Sequence, residues 1–212
     1  MSENINALQL ANFIVANYPD KNITPLKLQK LAYYAKAWSL VAGSLHIQAD
    51  FQKWKYGPVN QEIYHAYKQY GRNSIPSAAQ EVWLSDEAMN LLKFILDNYV
   101  NLSAFTLSAM THNETPWQET EEGKLIQDEA IRDYFSEQPF ARNFMKEDLF
   151  EGTFYLLQTD SWHAFTLDMS PDDVASLESF PSYREYIVQS EQARKEFADL
   201  MDSLLHDSQP SL

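Results

Sequence analysis

A helix with clear start and stop signals is the strongest restriction on how this chain can fold. Thr24 is a favoured N-cap residue, and Pro25 suits the first helical position because a proline there sacrifices no hydrogen bond. Gly43 supplies a left-handed stop at the other end. Between these positions apolar side chains recur at helical spacing: Leu28, Leu31, Ala32, Ala35 and Trp38. The pattern predicts one core-facing helix over residues 24–43.

Five more stripes with the same period predict a mainly helical fold. They begin near Ile5, Val59, Ser85, Ser103 and Gln127. The polar stretch 112–122 contains Pro116 and is predicted to be a loop. Together these stripes predict six helices in one compact multi-helix domain over residues 1–140.

Residues 141–212 have a different pattern and are predicted to form a C-terminal appendage. The β-forming residues at 153–157 and the alternating ones at 162–167 flank a turn, which predicts a β-hairpin. A long amphipathic helix is predicted over about 182–205. Its apolar seam consists of Tyr183, Tyr186, Ser190, Ala193, Phe197, Leu200 and Leu204. That seam either covers the chain's own core or lies against a partner.

The charge balance limits the kind of partner. The chain carries 30 acidic against 16 basic residues, a net charge of −14. Nucleic-acid binding depends on clustered Lys and Arg, so this charge disfavours DNA or RNA as the main ligand. The same charge favours encounter with a basic protein, although many acidic proteins use it only to remain dispersed. The sequence leaves both interpretations open.

The residues that the chain lacks indicate its compartment. It contains no cysteine, which excludes disulfides and thiolate chemistry and fits a reducing environment. The first six residues contain no basic region followed by an apolar run, so no secretory signal is expected. No stretch approaches the roughly 20 apolar residues that a membrane span requires. We therefore expect a cytoplasmic protein without membrane contact, and its oligomeric state stays open.

The chain lacks the sequence signatures of familiar enzymes. It has no Gly-x-Ser-x-Gly elbow, no phosphate-binding loop and no dinucleotide glycine fingerprint. His112, Glu114 and Glu119 are close in sequence, but the other histidines follow no ligand spacing, which disfavours a metal site. His112 is instead expected to anchor the loop by hydrogen bonding beside Pro116 and Trp117. We expect a protein that is not an enzyme, with no catalytic residue, metal site or cofactor.

Polar residues near the start of the 24–43 helix have two possible roles. Lys27 and Lys30 either lie on a solvated helix face or contact a partner or another segment of the domain. Gln29 is neutral and is expected to hydrogen-bond a neighbouring loop.

The segment around Gly57 has a structural interpretation that requires no ligand. Gly57 and Pro58 are expected to make a fixed turn, and Pro58 is expected to begin the next helix. Trp54 and Tyr56 are expected to anchor the extended piece against the core.

Three ordered blocks of the sequence resemble the Panacea-domain family of SocA-like and phage-associated antitoxins. The first is TPLKLQKLAYYAKAWSL at 24–40 with WKYGPV at 54–59. The second is LSAMTHNETPW at 107–117, and the third is GKLIQDEAIRDYF at 123–135. The resemblance that these ordered blocks carry extends over most of residues 5–137. The residues that match the family's motifs are Lys27, Gln29, Lys30, Tyr33, Trp54, Gly57, Pro58, His112, Pro116 and Trp117.

The resemblance implies a function in a two-gene toxin–antitoxin system. Some members of the family lie in prophages. An antitoxin of this family is expected to bind and silence a toxin protein encoded by the neighbouring gene. The alternative that the family offers is an adaptor that delivers the toxin to an ATP-dependent protease.

Partner contacts are predicted on the appendage, because antitoxins that share one domain must vary some surface to silence unrelated toxins. The competing interpretation is that the helical domain binds alone and the appendage completes its core. The predicted contact residues are Phe154, Tyr155, Trp162, Phe165, Tyr183 and Tyr186.

Overall fold

A computed structural model of the chain describes residues 3–144, and these residues are mainly helical, as predicted. The elements are, in order, β1 (Glu3–Asn6), α1 (Ala7–Asn17), α2 (Pro25–Ala42), β2 (Leu45–Gln48), β3 (Gln52–Trp54), β4 (Gly57–Val59), α3 (Gln61–Tyr67), α4 (Asp86–Asp97), α5 (Ala104–His112), α6 (Thr115–Gln118) and α7 (Asp128–Ser136). Short 3-10 helices occupy Pro19–Lys21, Lys68–Tyr70 and Pro139–Phe144. The predicted C-terminal β-hairpin and long helix lie outside the described residues.

Helix α2 is the centre of this fold. The Thr24 hydroxyl caps its start by accepting a hydrogen bond from the backbone nitrogen of Lys27, and Gly43 ends it with a left-handed φ of 71°, both as predicted. Helices α1, α4, α5 and α7 all pack against α2. Buried residues therefore occupy every side of the helix, and 13 of its 18 residues are buried. A helix surrounded in this way must satisfy its polar side chains internally.

Two small sheets flank the helices. Strand β1 pairs in parallel with β2, and β3 pairs with β4 as an antiparallel hairpin. The sequence predicted that Ile5 begins the first helix, but Ile5 lies in β1 opposite Ile47. The helix begins at Ala7 instead, because Asn6 and Gln9 form a reciprocal capping box that stops it from extending further back.

The predicted helix start at Pro58 is wrong. Pro58 lies in β4 opposite Lys53, where its missing N–H falls on a two-stranded hairpin. Helix α3 begins at Gln61 because the Asn60 side chain accepts a hydrogen bond of 3.0 Å from the backbone nitrogen of Ile63.

The predicted loop at 112–122 contains one further helix, α6. Pro116 lies within its first two positions, where proline is tolerated because those backbone nitrogens have no partner inside the helix. The turn of helix places Pro116 in the interior and leaves Glu119 exposed. In the described part of the chain, no helix is both long enough and apolar enough to cross a membrane.

Aromatic rings from distant parts of the chain meet on α2. Trp38 is fully buried and contacts Phe135 of α7 edge to face, with ring centroids 4.9 Å apart. Phe140, in the last 3-10 helix, lies 4.7 Å from the Trp38 ring and stacks on Phe94 of α4. The segment after α7 is therefore part of the same core.

Candidate functional site

A lysine lies in the interior of the helical domain. Lys30, on the second turn of α2, is fully buried, and its Nζ donates a hydrogen bond of 2.7 Å to the carbonyl oxygen of Pro58. Burial removes water from the ammonium and lowers the pKa of Lys30 to about 7, while the charge of Glu114 acts in the opposite direction. This lysine ties the central helix to the β3–β4 hairpin.

Gly57 makes the close approach of the hairpin possible. Its φ is 97°, a conformation that side-chain-bearing residues rarely adopt. A Cβ at this position would lie 2.5 Å from Thr111 Oγ1 and 2.7 Å from Lys30 Nζ. Both the backbone angle and the available space therefore require glycine.

Glu114 places a carboxyl group in the same interior. It is 6% exposed, and its Oε1 accepts a hydrogen bond of 2.7 Å from the Tyr34 hydroxyl. Burial raises the pKa of Glu114 to about 8, whereas the Tyr34 hydrogen bond and the Lys30 charge act in the opposite direction. Within the described residues, Glu114 Oε2 has no hydrogen-bond partner.

Three tyrosines surround this carboxyl group. Tyr34 stacks on Tyr99 with centroids 4.1 Å apart, and the Tyr99 hydroxyl accepts a hydrogen bond of 2.6 Å from Trp38 Nε1. Burial raises the pKa of Tyr33, Tyr34 and Tyr99 well above the usual value, so these hydroxyls stay protonated. We call Lys30, Tyr33, Tyr34, Tyr99, Thr111 and Glu114 the buried polar cluster.

A second polar contact holds the same hairpin to α2. Gln29 donates a hydrogen bond of 3.0 Å to the carbonyl oxygen of Asn60 and accepts one of 2.8 Å from its backbone nitrogen. The prediction that Gln29 bonds a neighbouring loop is thus confirmed. Because both residues are buried, neither group has water as an alternative partner.

The surface beside the cluster is formed by an aromatic stack. His112, at the end of α5, stacks on Trp117 of α6 with centroids 4.1 Å apart. Trp117 Nε1 donates a hydrogen bond of 3.3 Å to the carbonyl oxygen of Trp54, and Lys53 Nζ lies 4.4 Å from the Trp117 centroid. Burial and the charge of Lys30 lower the pKa of His112, which favours its neutral form.

The buried polar cluster is closed rather than open to a substrate. A lysine and a carboxyl group with such shifted pKa values are typical of catalytic sites when they line a cleft. Here Lys30 is 0% and Glu114 6% exposed, so neither offers its reactive atoms to solvent. Among residues 3–144, no three His, Asp or Glu side chains are grouped to hold a metal ion. What the cluster does is join α2, the hairpin and the α5–α6 segment.

The solvated-face interpretation of Lys27 and Lys30 is wrong. Lys27 is only 7% exposed and donates a hydrogen bond of 2.8 Å to the carbonyl oxygen of Lys21, as Lys30 does to that of Pro58. Helices pack on every side of α2, and each ammonium finds a backbone carbonyl in place of water.

The two aromatics of the hairpin differ from the prediction that both anchor it in the core. Tyr56 is 60% exposed, and Trp54 is half-buried against Tyr64, with centroids 5.1 Å apart. Phe51, just before β3, is the fully buried anchor and contacts Tyr33 edge to face. Tyr56 lies in the turn between β3 and β4, and all three residues of β3 are only partly buried, so the hairpin is anchored in the core from its first end rather than from its turn.

The remaining motif residues are all at least partly buried. Tyr33 and Pro116 are buried, and His112 and Trp117 are partly buried.

The six predicted partner-contact residues lie outside the described residues, so their role stays a prediction: Phe154, Tyr155, Trp162, Phe165, Tyr183 and Tyr186.

Sequence reasoning missed the cluster's acidic member and two of its tyrosines. Glu114 stands in a polar stretch and resembles its exposed neighbour Glu119 in every local respect. Tyr34 and Tyr99 come from different parts of the chain, and no spacing relates them to each other. Asn60 carried a usable signal, because asparagine is a favoured N-cap residue and would have moved the start of α3 past Pro58.

These features define a helical scaffold whose motif residues hold its own segments together. Residues 28–118 match the family described as antitoxin SocA-like, Panacea domain, which confirms the resemblance that the motifs predicted. The matched segment contains the whole buried polar cluster and runs from α2 through the hairpin to α6. No curated protein and no solved structure matches the chain.

Proposed function

We propose that this protein is an antitoxin that neutralises the toxin encoded by a neighbouring gene through direct protein–protein binding. The observation that carries the proposal is the match of residues 28–118 to an antitoxin family. The fold adds a physical argument. Lys30, Gly57 and Glu114 are buried and contact other segments of the domain, which supports a role as a shared scaffold rather than as a reaction centre.

Under this proposal the motif residues keep the scaffold constant while partner choice resides on the surface. Specific binding concentrates in a few anchor residues, which can change without disturbing a core that is fixed by other contacts. The residues of the appendage that we assign to toxin contact are Phe154, Tyr155, Trp162, Phe165, Tyr183 and Tyr186.

Co-expression with the product of the adjacent open reading frame tests the proposal. We expect that product to arrest growth when expressed alone, growth to recover when the full chain is expressed with it, and the two proteins to elute together after purification. A product that is harmless alone, or that the chain neither binds nor neutralises, would overturn the proposal.

The amount of toxin distinguishes direct neutralisation from the adaptor alternative. Direct binding predicts that toxin persists in rescued cells at the level set by its synthesis. An adaptor predicts that toxin disappears in rescued cells and returns when the ATP-dependent proteases are deleted. Immunoblotting of a tagged toxin in matched strains measures both.

A further inference from the structure

One surface of the helical domain exposes large aromatic rings beside lysines. Phe105 is 80% and Tyr56 60% exposed, although both belong to residue types that folding usually covers. We call the surface made of Lys53, Lys55, Tyr56, Phe105, His112 and Trp117 the aromatic–lysine face.

Hydrogen bonds, ring contacts and, for Phe105, helical spacing place these residues along one surface. The Ser108 hydroxyl donates a hydrogen bond of 2.8 Å to the carbonyl oxygen of Tyr56. Phe105 and His112 lie three residues before and four residues after Ser108 on α5, so all three share one side of the helix. His112 then stacks on Trp117, which continues the face beyond the end of α5.

Lysines border both ends of the face. Lys55 Nζ lies 5.4 Å from the Tyr56 ring centroid, and Lys53 Nζ lies 4.4 Å from that of Trp117. Lys53 and Lys55 form no ion pair with a carboxylate of residues 3–144. In a chain of net charge −14, this face places two lysines without a described ion-pair partner next to apolar rings.

Hydrogen bonds fix the backbone positions of the face before any partner arrives. Phe105 lies in the first turn of α5, which the Ser103 hydroxyl caps by accepting a hydrogen bond from Thr106. The backbone of Tyr56 is fixed by Ser108 and by the close approach at Gly57. Aromatic side chains on fixed backbone lose little conformational freedom on binding, which suits them as anchors.

We propose that the aromatic–lysine face binds a polypeptide segment of a partner protein that carries carboxylates beside apolar side chains. The lysines select the carboxylates, and Tyr56 and Phe105 bury the apolar groups. The inference rests on the proposed function only in taking the toxin to be the protein that carries this segment.

A polypeptide fits the face better than a nucleic acid does. Basic and aromatic residues also occur together in single-strand binding sites, where they track a phosphate backbone. Here Lys53 Nζ already donates a hydrogen bond of 2.9 Å to the carbonyl oxygen of Gln118, and the exposed residues Glu119, Glu121 and Glu122 follow directly. Those carboxylates oppose a nucleic acid, which carries a charge on every nucleotide, more strongly than they oppose a segment with one or two carboxylates that needs only the two lysines and the rings.

A peptide selection tests the face without any toxin. The full-length protein is immobilised and a random displayed peptide library is selected on it. We expect enriched sequences with a net negative charge and at least one large apolar residue. The double variant Phe105→Ser/Lys55→Glu should bind the synthetic form of an enriched peptide about tenfold or more weakly in fluorescence anisotropy.

The control is Trp83→Ser, which removes a ring that is 82% exposed on another part of the surface. It should leave peptide affinity unchanged, and both variants should keep the wild-type circular dichroism spectrum. The proposal is overturned if no acidic, apolar sequence is enriched or if the double variant binds such a peptide as tightly as wild type. Tighter binding of an oligo(dT) probe that depends on Phe105 and Lys55 would assign the face to nucleic acid instead.

Growth rescue separates this proposal from the proposed function. If the double variant loses the peptide but still neutralises the neighbouring toxin, the protein is an antitoxin and the toxin does not carry the segment. If the neighbouring product is not toxic while the peptide binds as expected, the antitoxin proposal fails and the binding face stands.

Discussion

Gly57 shares its space with the side chains of two other residues. We expect Gly57→Ala to lower the free energy of unfolding by about 2–5 kcal/mol, because the new Cβ both strains the backbone and collides with Lys30 and Thr111. Chemical denaturation of the purified variant measures the change.

Gly43→Ala is the matched control for this prediction. Gly43 also has a positive φ, but a Cβ there meets nothing within 4 Å. Its cost should be limited to the backbone conformation, about 1 kcal/mol. Equal losses at Gly43 and Gly57 would show that the close approach to Lys30 contributes nothing.

The titration of Glu114 should be visible in the stability of the fold. Because burial raises its pKa to about 8, the folded chain keeps this proton after the unfolded chain has lost its own. The contribution of Glu114 to stability therefore falls as pH rises from about 5 to 7, by at most about 1.4 kcal/mol per pH unit. Lys30 acts in the opposite direction. Because burial lowers its pKa to about 7, the destabilising cost of burying its charge falls as pH rises above that value.

The variant Glu114→Gln keeps an acceptor for Tyr34 and removes the titration. The free energy of unfolding of wild type minus that of Glu114→Gln should decrease steadily over this pH window in urea denaturation. Glu119→Gln, which changes an exposed carboxyl at the C-terminal end of α6, controls for the loss of one negative charge. A difference between wild type and Glu114→Gln that is constant with pH would contradict the buried carboxyl.

Local chemistry explains which residues could be assigned from the sequence alone. Thr24 begins α2 by bonding the backbone nitrogen of Lys27, and Gly43 ends it by bonding the carbonyl oxygen of Ser39. Both partners lie within four residues, so these roles were predictable. Lys30, in contrast, is buried by segments that are distant in the sequence. Its hydrogen-bond partner Pro58 lies 28 positions further along the chain, and Glu114 lies further still. No local pattern encodes such a contact.

The hydrogen bonds of Gln29 attach the β3–β4 hairpin to α2. Gln29→Ala leaves the buried backbone N–H of Asn60 without a partner, whereas the Asn60 carbonyl still accepts a hydrogen bond from the backbone nitrogen of Tyr64, so the change should cost about 1–3 kcal/mol. The exposed Gln69→Ala should change stability by less than about 0.5 kcal/mol. Thermal melting of both variants against wild type makes the comparison, and an unchanged melting temperature for Gln29→Ala would refute the contact.

Helices were easier to predict than strands in this chain. Most of the predicted helices begin at recognisable caps or at a strong apolar stripe, and their periods are local. Strand β1 exists because Glu3–Asn6 pairs with Leu45–Gln48 across the whole of α1 and α2. The β3–β4 hairpin likewise depends on a contact with α2. Short strands of three or four residues carry too little period to identify them.

The whole helical domain needs the segment after α7. Phe140 and Ala141 are buried, and Phe140 contacts both Trp38 and Phe94. A fragment ending at Phe144 should therefore fold, with a helical circular dichroism spectrum and a cooperative melt. A fragment ending at Gln138 loses Phe140 and should be less stable by about 3–5 kcal/mol, a large share of the about 5–15 kcal/mol that most domains hold.

The two fragments also bear on where partner choice lies. If the fragment ending at Phe144 folds and rescues cells from the toxin as well as the full chain does, the predicted contacts on residues 145–212 are unnecessary. If it folds but fails to rescue, those residues carry the binding. Equal stability of the two fragments would show that Phe140 is not part of the core.

The central position of α2 also determines what happens while the chain is being made. The Tyr34 hydroxyl cannot form its hydrogen bond until the ribosome has added Glu114, 80 residues later. At about 5–20 residues per second, that interval lasts roughly 4–16 seconds. During it the newly made α2 presents its lysines and aromatic rings to the cell without their final partners. A chaperone or protease that recognises the unfinished chain has this time in which to act, so the yield of folded protein depends on events that precede the completion of the core.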